Sequence, residues 1–147
     1  MKVKKFTITT VFVITLGLVF FATFKFVMQQ GIKKQIIASG KFHQVAHQGE
    51  GNVMIYRLLT GERVLELSEF STGEGENLEV LLIGARDALE NETVESAETF
   101  SLGRLKSVTG HQSFAIPDSL DLNKFGAVTI WSKKYKVNFT TAPLHND

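Results

Sequence analysis

The sequence predicts an all-β domain, an antiparallel β-sandwich or barrel-like fold, after one N-terminal transmembrane helix. From Gly40 onward, short apolar runs are separated by turn residues at regular short intervals, which is typical of sandwiches and barrels. Hydrophobic residues make up 44% of the 147 residues and only two are Pro, a composition typical of a globular chain. Before this region, the stretch 6–24 has no charged residue. We therefore divide the chain into a signal-anchor segment (1–28), a polar linker (29–39) and a β domain (40–147).

The first segment is predicted to remain in the protein as a membrane anchor. As a helix rising about 1.5 Å per residue, 6–24 crosses nearly all of a hydrocarbon core of roughly 30 Å. A cleaved signal peptide is the alternative, because Lys2, Lys4 and Lys5 form a basic start, but no small-residue cleavage site follows closely. Since a short basic tail precedes a long domain, we expect a single-pass protein with its N-terminus in the cytoplasm. The β domain is then extracytoplasmic, in the periplasm or at the cell surface.

Alternating apolar residues and bounding turns predict the strands of the β domain. The run 53–59 and the run 63–67 flank Thr60-Gly61-Glu62, which predicts a β-hairpin. In 134–139, Tyr135 alternates with lysines, which predicts a strand with one apolar and one cationic face. The remaining predicted strands are 78–83, 102–108, 112–116 and 127–132.

Two connections lack a period of two and are predicted to contain short helical turns. The first, 84–98, is acidic, and the second, 118–125, has Ser119 as a candidate cap. Aromatic side chains of the domain are expected to form its core, with the leading candidates Phe42, Phe70, Phe114, Phe125, Trp131 and Phe139.

The sequence does not predict an enzyme. It contains no Gly-x-Ser-x-Gly elbow, no phosphate-binding glycine loop and no His-Glu-x-x-His helix. It contains no cysteine, which excludes disulfides, thiolate metal sites and cysteine nucleophiles. Beyond the anchor, Asp and Glu outnumber Lys and Arg, so no nucleic-acid partner is expected. No metal site and no cofactor are predicted.

Histidines supply the weak candidates for a cofactor site. His43 and His47 are four positions apart, a metal-ligand spacing on a helix but not on an extended chain. His47, His111 and Met54 are the side chains most able to hold a metal or cofactor. Packing or surface roles are the alternative interpretation for each of them.

Three further patterns have both a functional and a structural interpretation. The oxygen-rich loop 74–79 can offer ligands to Ca²⁺, but it lacks the regular EF-hand spacing, which favours a solvated acidic turn. The lysine-rich run 133–136 is either a solvated face or a contact for an anionic lipid or acidic partner. Asn91 and Asn138 each begin an Asn-x-Thr glycosylation sequence, which is relevant only in a eukaryotic secretory pathway.

The order of motifs across the β domain resembles the DM-thirteen domain family, also called the electron-transfer DM domain. The resemblance is carried by residues 40–42 (GKF), 56–67, 75–78 (GENL), 102–107 (LGRLKS), 110–117 (GHQSFAIP), 128–139 and 142–144 (APL). The positions that correspond to the family motif include His47, Gly75, Trp131, Ser132 and Phe139.

The resemblance implies a redox role that two departures bring into question. Where the family usually has Cys after the tryptophan, this chain has Ser132, and Gly75-Glu-Asn-Leu replaces Gly-Pro-Asp-Leu. Serine forms neither a thiolate nor a disulfide. We therefore expect a membrane-anchored, extracytoplasmic, non-catalytic module that binds an envelope protein or glycan. The alternative is an electron-transfer accessory protein that uses a metal or cofactor instead of a thiol.

Overall fold

Nine antiparallel strands form a nearly closed, barrel-like sheet in the computed structural model, which describes residues 34–146. The strands are β1 (Gln35–Lys41), β2 (His43–Gln44), β3 (Gly49–Arg57), β4 (Arg63–Thr72), β5 (Leu78–Ile83), β6 (Thr99–Arg104), β7 (Thr109–Ile116), β8 (Ala127–Ser132) and β9 (Val137–Asn146). A short helix, α1 (Asn91–Ser96), lies between β5 and β6, and a 3-10 turn (Leu122–Lys124) lies between β7 and β8. The predicted all-β antiparallel class is confirmed in its barrel-like form.

The strand order leaves two edges, which one short connection brings together. The sheet runs β6-β5-β8-β9-β1-β3-β4-β7, with β2 paired to β9. The edge strands β6 and β7 are consecutive in the sequence and are joined by residues 105–108. Two backbone hydrogen bonds tie this connection to the sheet, from Leu105 N to Leu78 O (2.8 Å) and from Thr72 N to Val108 O (2.9 Å). They bring the two edges together at one end of the barrel.

We call that end the upper end; it contains the connections 45–48, 73–77, 105–108 and 133–136. The lower end contains the hairpin turn 58–62 and the connections 84–98 and 117–126. Inside the barrel, side chains from alternate strand positions form the main core, including Ile55, Leu65, Leu67, Val80 and Ile130, each at most 1% exposed.

A second, smaller core lies on the outer face of β5 and β8. The connection 84–98 folds over this face, and Ala88 and Val94 pack there with Leu81, Ile83 and Trp131. All six residues of β8 are therefore buried, since both faces of that strand are covered. The predicted core residues are all buried, with Trp131 in the second core rather than inside the barrel.

Four details differ from the sequence-based expectations. β1 starts at Gln35, so residues 35–39, which the sequence predicts as part of a polar linker, belong to the sheet. Tyr135 lies in a turn and is 58% exposed, because β9 begins only at Val137. Asp121, and not Ser119, caps the 3-10 turn by accepting a hydrogen bond from Asn123 N. Asn138 does not join a cationic outer face but is fully buried.

The predicted anchor, residues 1–28, lies outside the described residues. Across residues 34–146, the structure contains no helix of the length and apolar character that a membrane span requires.

Candidate functional site

Four of the five positions singled out by the family resemblance lie at the upper end of the barrel. His47 sits in the turn after β2, where its backbone N–H donates to Phe139 O (3.0 Å) and Ala46 N donates to Asn138 O (3.2 Å). These bonds hold the turn on β9 and place the His47 imidazole on the Phe139 ring, with 3.9 Å between ring centroids and 24° between ring planes. His47 is half-buried by this stacking.

Two glycines let the connection 73–77 pass directly over the stacked pair. A Cβ on Gly75 would lie 2.6 Å from atoms of the Phe139 ring. A Cβ on Gly73 would lie 2.8 Å from His47 Nδ1. Both contacts are far inside van der Waals separation, so this close approach requires residues without a side chain.

Ser132 fixes the connection 73–77 to the end of β8 by a hydrogen bond. Its side chain is 0% exposed, and its hydroxyl donates to Glu76 O (3.2 Å) while accepting from Tyr135 N (3.4 Å). One hydroxyl therefore links the end of β8, the connection 73–77 and the turn 133–136. The two departures from the family pattern, at positions 132 and 75–78, are in direct contact.

A cleft of about 490 Å³ opens beside this cluster, between the connection 73–77 and the link from β6 to β7. Arg104 donates to Asn77 Oδ1 across it, and Asn77 has a left-handed backbone with φ of 52°. The cleft carries both signs of charge, with Glu74, Glu76, Arg104 and Lys106 around its rim. Such a surface suits a polar partner better than a purely apolar one.

The lysine-rich turn 133–136 has its charge balanced by acids. Lys133 lies 3.8 Å from Glu79, Lys136 lies 3.6 Å from Glu95, and Lys134 pairs with Glu76. Two of these pairs occupy Glu76 and Glu79, which belong to the oxygen-rich loop 74–79. Among residues 34–146, no group of three or more His, Cys, Asp or Glu side chains is placed to hold a metal ion.

Met54 and His111 lie on a different surface, the outer face of β3, β4 and β7. Met54 is directly opposite Glu66 in the β3–β4 register, and the charge of His111 helps to lower the Glu66 pKa. Met54 therefore lies beside Glu66, and His111 lies on β7 two residues from Ser113, the register partner of Glu66, whereas His47 packs on Phe139 at the upper end. The three weak cofactor candidates do not form one site.

Glu66 is the centre of a cluster that the sequence did not reveal. Tyr56 Oη donates to Glu66 Oε2 (2.9 Å), as does Lys34 Nζ (3.2 Å), and Lys34 Nζ lies 4.1 Å from the centroid of the Tyr56 ring. Partial burial raises the pKa of Glu66, but the hydrogen bonds from Tyr56 and Lys34 outweigh it and leave the pKa below its ordinary value. The alternating pattern of β3 and β4 contained the only signal, by placing Tyr56 and Glu66 on one face.

His43 forms a pair with Asp87 that the sequence also did not reveal. Its Nε2 lies 2.7 Å from Asp87 Oδ1 and its Nδ1 lies 3.0 Å from Gln44 O. Both partners are acceptors, so the ring makes both hydrogen bonds only when it is protonated at both nitrogens. Partial burial lowers the pKa of His43, but the hydrogen bonds to Gln44 and Asp87 outweigh it and the pKa lies above its ordinary value.

Trp131 has its side chain on the opposite side of β8 from Ser132. It packs in the second core with Leu81 and Val94, so it does not contact the upper-end cluster. A structural role in holding the connection 84–98 on the sheet accounts for its position.

Comparison with known protein families gives one match. A family model described as "Electron transfer DM13" matches residues 41–144, well over half of the chain. The matched span includes His47, Gly75, Ser132 and Phe139. The comparisons with curated proteins and with solved structures found no match.

Proposed function

The chain belongs to the DM13 family, and on that premise we propose that it is a membrane-anchored, extracytoplasmic binding domain without catalytic activity. The family description points to a redox-related role. The observation that favours binding is the structural role of Ser132. At the position where the family resemblance places a cysteine, the buried Ser132 hydroxyl joins the connection 73–77 to β8. Because the chain has no cysteine, it has no thiol with which to exchange electrons.

The surface best suited to a partner is the upper end of the barrel. The exposed residues Glu74, Glu76, Lys106 and Ser107 surround the cleft there, and the stacked His47 and Phe139 support it from within. Hydrogen-bonding groups of both charge signs on a well-supported loop suit an envelope protein or a glycan. The uncharged stretch 6–24 would tether the domain to the membrane.

Site-specific photo-crosslinking tests the binding proposal. A photoreactive residue at Glu74, in the full-length chain expressed in its native cell, should give one adduct that excess unmodified protein suppresses. A photoreactive residue at Glu62 is the matched control, since Glu62 is exposed in the hairpin turn 58–62 at the lower end. No adduct at Glu74, or the same adducts at both positions, would count against the proposal.

Electron transfer is the second candidate function, and the arrangement of Met54 and His111 around Glu66 is the observation that favours it. Thioether and imidazole groups are good ligands for copper. The test is the metal content and absorption spectrum of the purified full-length chain, before and after dithionite. A stoichiometric metal whose spectrum bleaches, and which His111→Ala and Met54→Leu both remove, would establish this function and overturn the binding-only proposal.

A further inference from the structure

Two arginines face each other at the lower end of the barrel. Arg57 ends β3 and Arg63 begins β4, and they are directly opposite in the β3–β4 register. Like charges in this position destabilise an antiparallel pair. Within the described part of the chain, the one acid that pairs with either arginine is Asp118, whose Oδ1 is 4.0 Å from Arg63 Nε and whose side chain is 82% exposed. This long and solvent-exposed contact compensates little of the repulsion between the two cations.

Arg63 is held in place with part of its hydrogen-bonding capacity unused. Arg63 is 8% exposed, and its Nη2 donates to Pro117 O and to Leu120 O, the latter at 2.9 Å. A terminal guanidinium nitrogen has two hydrogens, so these carbonyls use both of them. The hydrogens on Nε and Nη1 have no acceptor among residues 34–146, since Asp118 at 4.0 Å is too distant to accept one as a hydrogen bond.

The two arginines line a cleft of about 560 Å³ between the strand ends and the connection 117–126. This volume lies in the range of small-molecule sites. Asp121 also lines the cleft; its Oδ1 accepts two hydrogen bonds from Asn123, and among residues 34–146 its carboxylate forms no ion pair with either arginine. The other lining side chains are polar amides and aliphatic groups: Gln35, Asn123, Ile37, Leu120 and Leu122.

We propose that this lower-end cleft binds a small organic carboxylate with an apolar body, whose carboxylate group bridges Arg57 and Arg63. The planar fork of a guanidinium matches the two oxygens of a carboxylate. An anion between the arginines removes their repulsion, and the aliphatic side chains cover the apolar part of the ligand. The cleft is at the opposite end of the barrel from the proposed partner surface, so either proposal can fail without the other.

Benzoate is a suitable probe, with benzamide as its uncharged analogue and inorganic phosphate as an anion without an apolar body. The full-length chain in lipid nanodiscs is titrated with each by calorimetry and melted in their presence. Benzoate should bind saturably and raise the melting temperature, because a ligand specific for the folded state stabilises it. Benzamide and phosphate should bind at least about tenfold more weakly, since each lacks one of the two recognised features.

The informative variant is Arg57→Gln, because Arg57 is exposed and its loss leaves the hydrogen bonds of Arg63 intact. It should reduce benzoate affinity about tenfold or more. Without ligand, it should melt at a higher temperature than the natural chain, since the like-charge contact is gone. Arg86→Gln is the matched control: it removes an exposed arginine from a different connection and should leave benzoate affinity unchanged.

The outcomes separate this proposal from simpler explanations. Equal binding of benzamide and benzoate would overturn it, and so would unchanged benzoate affinity in Arg57→Gln. If phosphate matches benzoate, the cleft accepts any small anion and the carboxylate assignment is wrong. If Arg57→Gln melts at a lower temperature without ligand, Arg57 has an acidic partner in the chain itself and the proposal is also wrong.

Discussion

The Ser132 hydroxyl reaches the main-chain carbonyl of Glu76 across 56 positions of sequence, in a 3.2 Å hydrogen bond. This contact joins the last residue of β8 to the connection that passes over His47 and Phe139. It gives the serine a structural role at a position where the family resemblance suggests redox chemistry. The first prediction follows from its geometry.

Ser132→Ala should lower the free energy of unfolding by about 1 kcal/mol, because it removes the hydroxyl that makes partly buried hydrogen bonds with Glu76 O and Tyr135 N–H. Ser132→Cys should cost less than Ser132→Ala, since the thiol keeps a weak donor and acceptor. Urea unfolding of the full-length chain measures both. Ser113→Ala, on the exposed face of β7, is the control and should stay within about 0.5 kcal/mol of the natural chain. Equal stability of Ser132→Ala and the natural chain would contradict this role.

Gly75→Ala should destabilise the protein by about 1–3 kcal/mol, because its Cβ would overlap the Phe139 ring and push it off His47. Gly84→Ala is the matched control, since a Cβ there meets its nearest atoms at 3.4 Å. Thermal unfolding gives the stability, and the ring-current shifts of the His47 protons report the stacking. If Gly75→Ala leaves both the melting temperature and the His47 shifts unchanged, the connection 73–77 can move away from Phe139 without loss of stability, and the prediction is wrong.

The pair of His43 and Asp87 should make stability depend on pH. The pKa of His43 in the folded protein is raised above 6.5, so its contribution is complete below the unfolded value. It is lost as the pH rises through the folded value. We expect about half a kcal/mol, because both side chains are partly exposed. Melting curves recorded on the acidic and alkaline sides of the transition should show this loss in the natural chain. His43→Gln should remove that part of the pH dependence of stability. If the variant loses as much stability with rising pH as the natural chain does, another titratable group is responsible.

Membrane topology can be measured directly, because the chain has no cysteine of its own. Lys133→Cys, in an exposed turn, should react with a membrane-impermeant maleimide in intact cells. Lys2→Cys should react only after the membrane is permeabilised. The reverse pattern would place the β domain in the cytoplasm, and release of labelled protein from the membrane would indicate a cleaved signal peptide.

Local sequence patterns predicted β5 and β8 well. In β5 and β8 the apolar runs coincide with the observed strands, because burial on both faces leaves a continuous hydrophobic signal. The aromatic core was also predicted from residue type alone. β1 was not, since Gln35–Lys41 contains Ala, Ser and Gly and becomes a strand only through its partners β3 and β9.

The residues of the candidate site were named from the sequence, but their arrangement was not predicted. His47, Gly75, Ser132 and Phe139 were named from the resemblance, yet only tertiary structure shows that one connection touches them all. Asn138 illustrates the opposite case. Its alternation with Phe139 predicted an exposed position, but the connection 84–98 covers it and Ala88 O accepts a hydrogen bond from its amide at 3.0 Å. Its buried amide is inaccessible to glycosylation in the folded protein.

The central place of β9 has a consequence for how the protein is made. β9 is the strand that links β8 to β1, so it connects two halves of the sheet, β6-β5-β8 and β1-β3-β4-β7. Ala38 pairs with Asn146, which is almost the whole length of the domain away. While the ribosome is still adding residues, the early strands have only part of their sheet to join. Such non-local pairing slows folding. Chaperones and proteases would therefore act on an incompletely folded domain until β9 has been synthesised. Loss of β9 would leave two half-sheets with unpaired edge strands, which are prone to aggregation.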